Sequence, residues 1–464
     1  MPRPAVRAAL LSLCLASVLP LASFAQDAAG KLAAPLEAQR RLITAKFSTM
    51  VPIATIGAGE GLLAELEKNI GPDVTAIVIE SGSYTLSDIL ASASKKGLGR
   101  LIGKSGSSVT IAAPLVVWKG AELRIGAGEH VVLDRSRYAL ILNAGTLSVI
   151  DATIEGSAFA DAQTPFRPFL LTVVDGEAVF KGSVIHNLGF GTFAETSGLS
   201  FLGRGYSLGS PNIEVSDNDI SDLVSVSFIR SSNSTVTGNR LTGMRSSGIV
   251  LQSASNAKVK GNSLLSATGH GIRITSQSQK IDLQDNTIVN ARSHGVFVDD
   301  GSVLVAMSRN RIEKNGLSGI VLKKSGCNAV SNNTLANNAL SGIRLEASFG
   351  ITIVGNSIVE NRDGITLEGQ TSSVATEVHD NLFSRNLAGI RSDAHGDLNI
   401  ARNDFSKQWT RLFAGAIASS TGRYLASQDA GRNSEFVLKG EAKTASVQLA
   451  SFSAFGLADC TSKK

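Results

Sequence analysis

One period constrains this chain more than any other feature. Gly-apolar-x-apolar recurs from Gly248, Gly271, Gly295, Gly319, Gly342, Gly364 and, more weakly, Gly389, at spacings of 23, 24, 24, 23, 22 and 25 residues. A second series runs out of phase with it: Asn239, Asn262, Asn286, Asn310, Asn333, Asn356, Asn381 and Asn403. A fixed period in this range marks a solenoid. Its units hold β-branched residues in short alternating runs, without helical periodicity. In Gly248-Ile249-Val250-Leu251-Gln252, Ile249 and Leu251 point one way and Val250 and Gln252 the other. Three such strands and three turns fill one coil. The fold expected is all-β, a right-handed parallel β-helix with coils of 22–25 residues. Equivalent residues of successive coils then stack about 4.8 Å apart. The asparagines form a ladder that satisfies turn backbone, and the glycines permit tight bends.

The comb extends upstream through SDNDI (216–220) and IDATIEG (150–156), and LVVWKGAELRIGAGEHVVL (115–133) alternates as strands do. Before it the pattern differs. EAQRRLITAKF and GEGLLAELEKNI read as short helices, and a solenoid needs its open ends capped. The first 25 residues read as a cleaved secretory signal: Arg3 and Arg7, then an apolar run, then Ser-Phe-Ala ending at Ala25. The organisation expected is a signal peptide over 1–25, an N-terminal cap over 26–105, the β-helix over 106–405 and a C-terminal cap or tail over 406–464. No later segment is long and apolar enough for a membrane span. Removing the two signal arginines takes the formal charge from +5 to +3, too balanced to imply nucleic acid. Cys14 falls in the signal. Cys327 and Cys460 make no disulfide framework, and their pairing stays open.

The outward columns hold the chemistry. Four residues after each repeat glycine stand Gln252, Thr275, Asp299, Lys323, Glu346, Glu368 and Asp393; two after it stand Val250, Arg273, Phe297, Val321, Arg344, Thr366 and Arg391. Just before the glycine stand Ser247, His270, His294, Ser318, Ser341, Asp363 and Ala388. One account is a solvated sheet of cross-strand ion pairs, with the histidines as polar turn residues. The functional account is a groove for an extended sugar polymer. In it His270, His294 and Arg273 are candidate catalytic residues, and Gln252, Asp299, Lys323, Arg344 and Glu346 contact substrate. Arg binds carboxylates bidentately, and imidazole moves protons. Tyr206 is the candidate acid. Pectin hydrolysis is disfavoured because its carboxylate pair should precede Gly-His-Gly, whereas Asp299-Asp300 follows it. No cofactor and no metal site is expected.

PLVVWKGAELRI, GTLSVIDATIEG, FRPFLL (166–171) and NLGFGTFAETSGLSF (187–201), followed by the two combs, resemble the periplasmic mannuronan C-5 epimerases of bacterial alginate production over roughly residues 100–400. The resemblance implies a periplasmic β-helix with a polyuronate in a groove along one face. The partners it implies are an acidic polysaccharide and a periplasmic polysaccharide export complex. It also exposes a departure. Those enzymes carry Tyr-Gly-Ile-Asp-Pro-His-Asp-Arg-Ser in one coil, with the histidine as proposed base. Here that stretch is Ser247 to Ser255, with Val250-Leu251 for Asp-Pro, Gln252 for the histidine and Ser253 for the next Asp. Ser276 stands where the next coil of the family carries Arg. Gln252 cannot accept a C-5 proton. Epimerase, lyase and catalytically inactive polymer guard or scaffold all remain open on this reading.

Overall fold

The computed structural model describes residues 40–449, apart from 55–63, 65, 67, 72, 159–164, 174, 205–210, 371–373, 429–433 and 441–443. The proposed signal, Cys14, Tyr206 and Cys460 lie outside the described residues. Each coil lays down three short strands, which stack in parallel into three faces. Face A includes Ile249–Gln252, Ile272–Thr275, Val296–Val298, Ile320–Lys323, Ser341–Glu346, Asp363–Glu368 and Ala388–Ser392. Face B carries strands such as Lys258–Lys260 and Gln279–Gln284, and face C strands such as Ser263–Leu265 and Thr287–Val289. Parallel pairing starts upstream of residue 106: Thr75–Thr85 pairs with Pro114–Val117 and Ala121–Ile125.

Alternation decides what is buried. Along face A the inward column Leu199, Val226, Ile249, Ile272, Val296, Ile320, Ile343, Ile365 and Ile390 lies in the main core. Burying each such side chain contributes about 1.5–3 kcal/mol. Between rungs runs the asparagine ladder, extended by Asn218 and with Ser183 in the same role. A second ladder follows five residues behind the first: Asn315, Asn338, Asn361, Asn386 and finally Gln408.

Both ends are plugged. The helix Leu86–Lys95 starts on a Thr85/Asp88 capping box and buries Leu86, Ile89 and Ala93 in the main core. At the far end Tyr424 packs among Phe405, Phe413 and Phe436, with ring centroids 5.0–5.8 Å apart. The antiparallel strand Ser434–Lys439 then covers the face B edge at Leu398–Ala401. One helix expectation is corrected. LITAK is not helical: Arg41–Lys46 is a strand, antiparallel to Thr75–Thr85, and helix begins only at Phe47. An unpaired sheet edge offered this segment a full hydrogen-bonding partner, which outweighs its weak helical pattern.

A second apolar cluster decides where the molecule is open. Outward-facing Val78, Val116, Leu142, Leu171, Val173, Leu202 and Ile229 on face A are buried with Phe47, Phe166, Phe169 and Phe190. The outer side of face A is therefore covered as far as Ile229. From Val250 onward the outward columns form a strip of charged and polar side chains, interrupted by Val250, Phe297 and Val321.

Candidate functional site

The strip is built by register. Val250, Arg273, Phe297, Val321, Arg344, Thr366 and Arg391 pair rung to rung in one column. Gln252 aligns with Thr275, and Lys323 with Glu346 and then Glu368, in a second column. Asp299 directly follows its strand and sits close to Arg273. Every proposed site residue among the described residues thus lies on the outer side of face A or at its edge, because alternation leaves these positions no other side to occupy.

Packing brings the charges together. Arg273 meets Asp299 at 3.6 Å, and Lys323 meets Glu346 at 2.6 Å. Arg344 reaches Glu368 at 2.5 Å and Glu346 at 3.6 Å, and Arg391 meets Asp363 at 3.0 Å. Arg273, Lys323, Arg344 and Arg391 each already hold a protein carboxylate. Sequence reasoning had not singled out the Asp363–Arg391 pair. Its signal was present: the only carboxylate in the pre-glycine column faces, one rung on, an arginine two residues after a repeat glycine.

The histidines occupy the corner that enters face A. His270 and His294 stack with ring centroids 5.4 Å apart and planes 8° from parallel. Phe297 lies parallel to both, at 4.6 and 5.4 Å. Backbone N–H groups reach into this column from rung to rung. His270 N donates to Ser247 Oγ at 3.3 Å, His294 N to His270 Nδ1 at 3.4 Å, Ser318 N to His294 Nδ1 at 3.1 Å and Ser341 N to Ser318 Oγ at 3.4 Å. Burial, then His294 and Arg273, push His270 down to about 4. Burial and Arg344 push His294 down to about 4, against the Ser318 hydrogen bond. Both rings are neutral at pH 7.

At the N-terminal end of the strip, Arg245 donates to the carbonyls of Leu188 and Gly189 at 2.6 and 2.7 Å and pairs with Asp222 at 2.9 Å. Arg167 pairs with the same Asp222 at 3.3 Å. Beside them the hydroxyls of Ser197, Ser200, Ser225 and Ser227 form a buried network, with separations of 2.8–3.0 Å. These contacts pin residues 187–203 where the covered part of face A ends. Among the described residues no group of three or more His, Cys, Asp or Glu side chains is arranged to hold a metal ion. Cys327 is buried and disulfide-bonded.

Comparison with known proteins extends the fold assignment. A family model of the right-handed β-helix region matches residues 138–306, and one of the periplasmic copper-binding protein NosD matches residues 294–412. No curated protein matches by sequence. Among solved structures, a mutant of the periplasmic alginate epimerase AlgG superposes with a TM-score of 0.66 at 18% identity, covering 87% of this chain and 100% of that one. Another AlgG structure gives 0.58 at 19% identity, covering 82% of this chain and 87% of that one. At this identity the likeness establishes a shared right-handed β-helix.

Proposed function

We propose that this chain is a periplasmic polysaccharide-binding β-helix that holds an acidic, uronic-acid polymer along the open part of face A, without mannuronan C-5 epimerase activity. The observation that carries the reading is the strip itself. From Val250 onward its outward columns carry Arg273, Lys323, Arg344 and Arg391 at intervals of whole rungs. A rung is about as long as one unit of an extended sugar chain. Equivalent side chains can therefore address equivalent positions on successive sugars. The likeness to periplasmic alginate epimerases supports the same substrate class and compartment.

The chemistry of epimerisation argues for binding alone. Abstracting a C-5 proton needs a cation on the uronate carboxylate, a base within reach of C-5 and an acid on the opposite face. The strip supplies cations. Gln252 stands where the base of the resembling family stands and cannot accept a proton. The one nitrogen of each histidine able to take a proton is turned into the backbone. The polymer is then guarded or presented to an export complex rather than altered.

Two measurements test this. Calorimetry with polymannuronate and with polygalacturonate should show binding to at least one. Incubation of the bound polymer in deuterated water should leave C-5 unlabelled. Absence of binding to both polymers sinks the reading, and robust C-5 exchange sinks its non-catalytic part.

A further inference from the structure

A serine is sufficient at the corner column. Ser247 and Ser318 each accept the next rung's N–H through Oγ. Imidazoles at two adjacent rungs are thus more than the backbone ladder requires. What they add is a second nitrogen. Because Nδ1 of each ring accepts a backbone N–H, it carries no proton, and the proton of the neutral ring resides on Nε2. Nε2 lies on the side of the ring away from the ladder. Neither Nε2 is bonded to protein among the described residues, and both side chains are half-buried rather than sealed.

We infer that His270 and His294 are a fixed pair of neutral N–H donors, whose Nε2 groups hydrogen-bond oxygen acceptors on consecutive units of the bound polymer. This rests on the binding function proposed above and names the contact that reads the chain. Three features hold the pair in register. The ladder fixes the tautomer. Phe297 stacks on both rings and fixes their planes, so little rotamer freedom is lost on binding. The rung separation sets the donors about one sugar apart. The charged groups around them are Arg273, paired with Asp299, beside His270, and Arg344, paired with Glu346 and Glu368, beside His294. These cations, with burial, keep the rings uncharged, so the pair offers donors without adding charge. Neutral donors suit hydroxyl, ring and carboxylate oxygens alike. Here they are positioning groups, and no proton is transferred.

The experiment has two arms. Long-range proton–nitrogen NMR of the histidine rings should show Nε2–H tautomers for both residues from pH 5.5 to 8, and the Nε2 shifts should move on addition of polymannuronate oligomers. In the second arm, His270→Ser and His294→Ser restore the residue type that the column uses elsewhere, so the ladder and the fold are kept. Each should weaken oligomer binding about tenfold while leaving circular dichroism and Tm close to wild type. Wild-type affinity should be the same at pH 5.5 and pH 8. Nδ1–H tautomers, titration near pH 6.5, or unchanged affinity in both serine variants overturns the donor pair and leaves polymer binding standing. Failure of the wild type to bind polymannuronate at all overturns the donor pair on that polymer. If polygalacturonate also fails to bind, the proposed function goes with it.

Discussion

Asn286 and Asn310, one rung apart, are joined twice: the backbone N–H and the side-chain Nδ2 of Asn286 both donate to Oδ1 of Asn310, each at 3.0 Å. Asn310 in turn donates to the carbonyl of Leu283 at 3.0 Å and to Asn333 at 2.9 Å. One side chain thus bonds polar groups of the coil before it and the coil after it in the dry interior. Asn310→Ala would remove the hydrogen bond of the buried Asn286 backbone N–H, one of the two made by the Asn286 side-chain amide, and the one donated to the Leu283 carbonyl. Urea denaturation should show a loss of about 2–4 kcal/mol. Asn310→Asp should also destabilise, because a carboxylate cannot donate to Leu283. A loss below about 0.5 kcal/mol in Asn310→Ala would mean the ladder is decorative.

The repeat glycines are there for space, and turn glycines for conformation. A Cβ on Gly295 would lie 2.3 Å from Ile312 Cγ2 and 2.7 Å from the carbonyl oxygen of Gly319. Gly243 has room around it but sits at φ +60°. Gly243→Ala should cost about 1 kcal/mol. Gly295→Ala should cost at least twice as much, since backbone must move. Equal losses by denaturant titration would refute the distinction.

Acidification should weaken the fold through the histidine pair. Both rings fall from 6.5 to about 4 in the folded state. Below pH 6.5 the unfolded chain binds protons that the folded chain refuses. Stability is therefore complete above about pH 6.5 and is lost as pH falls towards 4. Tm measured from pH 7 to 4.5 should drop more steeply in wild type than in a His270→Ser/His294→Ser double variant. Parallel curves would show that the rings are not held neutral.

The opposite slope is expected at the C-terminal closure. Glu377 on face B is buried, with Glu435 of the closing strand Ser434–Lys439 against it and Asn399 donating to it at 2.8 Å. Burial and Glu435 raise Glu377 from 4.5 to about 7, opposed by Asn399 and by Lys439. The folded chain holds this proton more tightly than the unfolded one. The contribution is complete below about pH 4.5 and is lost as pH rises through about 7. Hydrogen exchange in residues 434–439 should quicken between pH 6 and 8 after correction for intrinsic rates. Glu377→Gln should abolish that change and stabilise the protein at pH 8 by about 1–2 kcal/mol. A variant that keeps the pH dependence would place its origin elsewhere.

The internal ion pairs compete with the polymer for the same cations. Glu368→Gln removes one of the two carboxylates on Arg344. Affinity for a polyuronate should rise about three- to tenfold at low salt, with little change in Tm, because half-exposed pairs contribute little to stability. The gain should shrink at high salt. Arg344→Ala should lower affinity, since it leaves Glu346 and Glu368 facing an acidic chain. Weaker binding by Glu368→Gln would mean that the carboxylate itself contacts sugar.

Much of the site's layout was legible before any coordinates. The glycine period placed Arg273, Phe297 and Arg344 in one column and the histidines in another, and alternation put the charged column outside. The second ladder was also written in the sequence, as an asparagine five residues after the first in the coils of Asn310, Asn333, Asn356 and Asn381, yet single positions outside the main comb carry little signal alone. The use of each column was not legible. Serine, histidine and aspartate share the pre-glycine slot, and nothing in their order shows that a backbone N–H occupies the basic nitrogen of the rings.

The period and the alternation by themselves determined a β-solenoid, its buried columns and the residues along its outer strip, because strand geometry converts spacing directly into side and height. Tertiary structure alone decided how much of that strip is open, which cations are already neutralised and which histidine nitrogen faces outward. Those outcomes depend on contacts between residues dozens of positions apart, such as Arg245 with Leu188 and Phe190 with Phe166, and no local pattern encodes them.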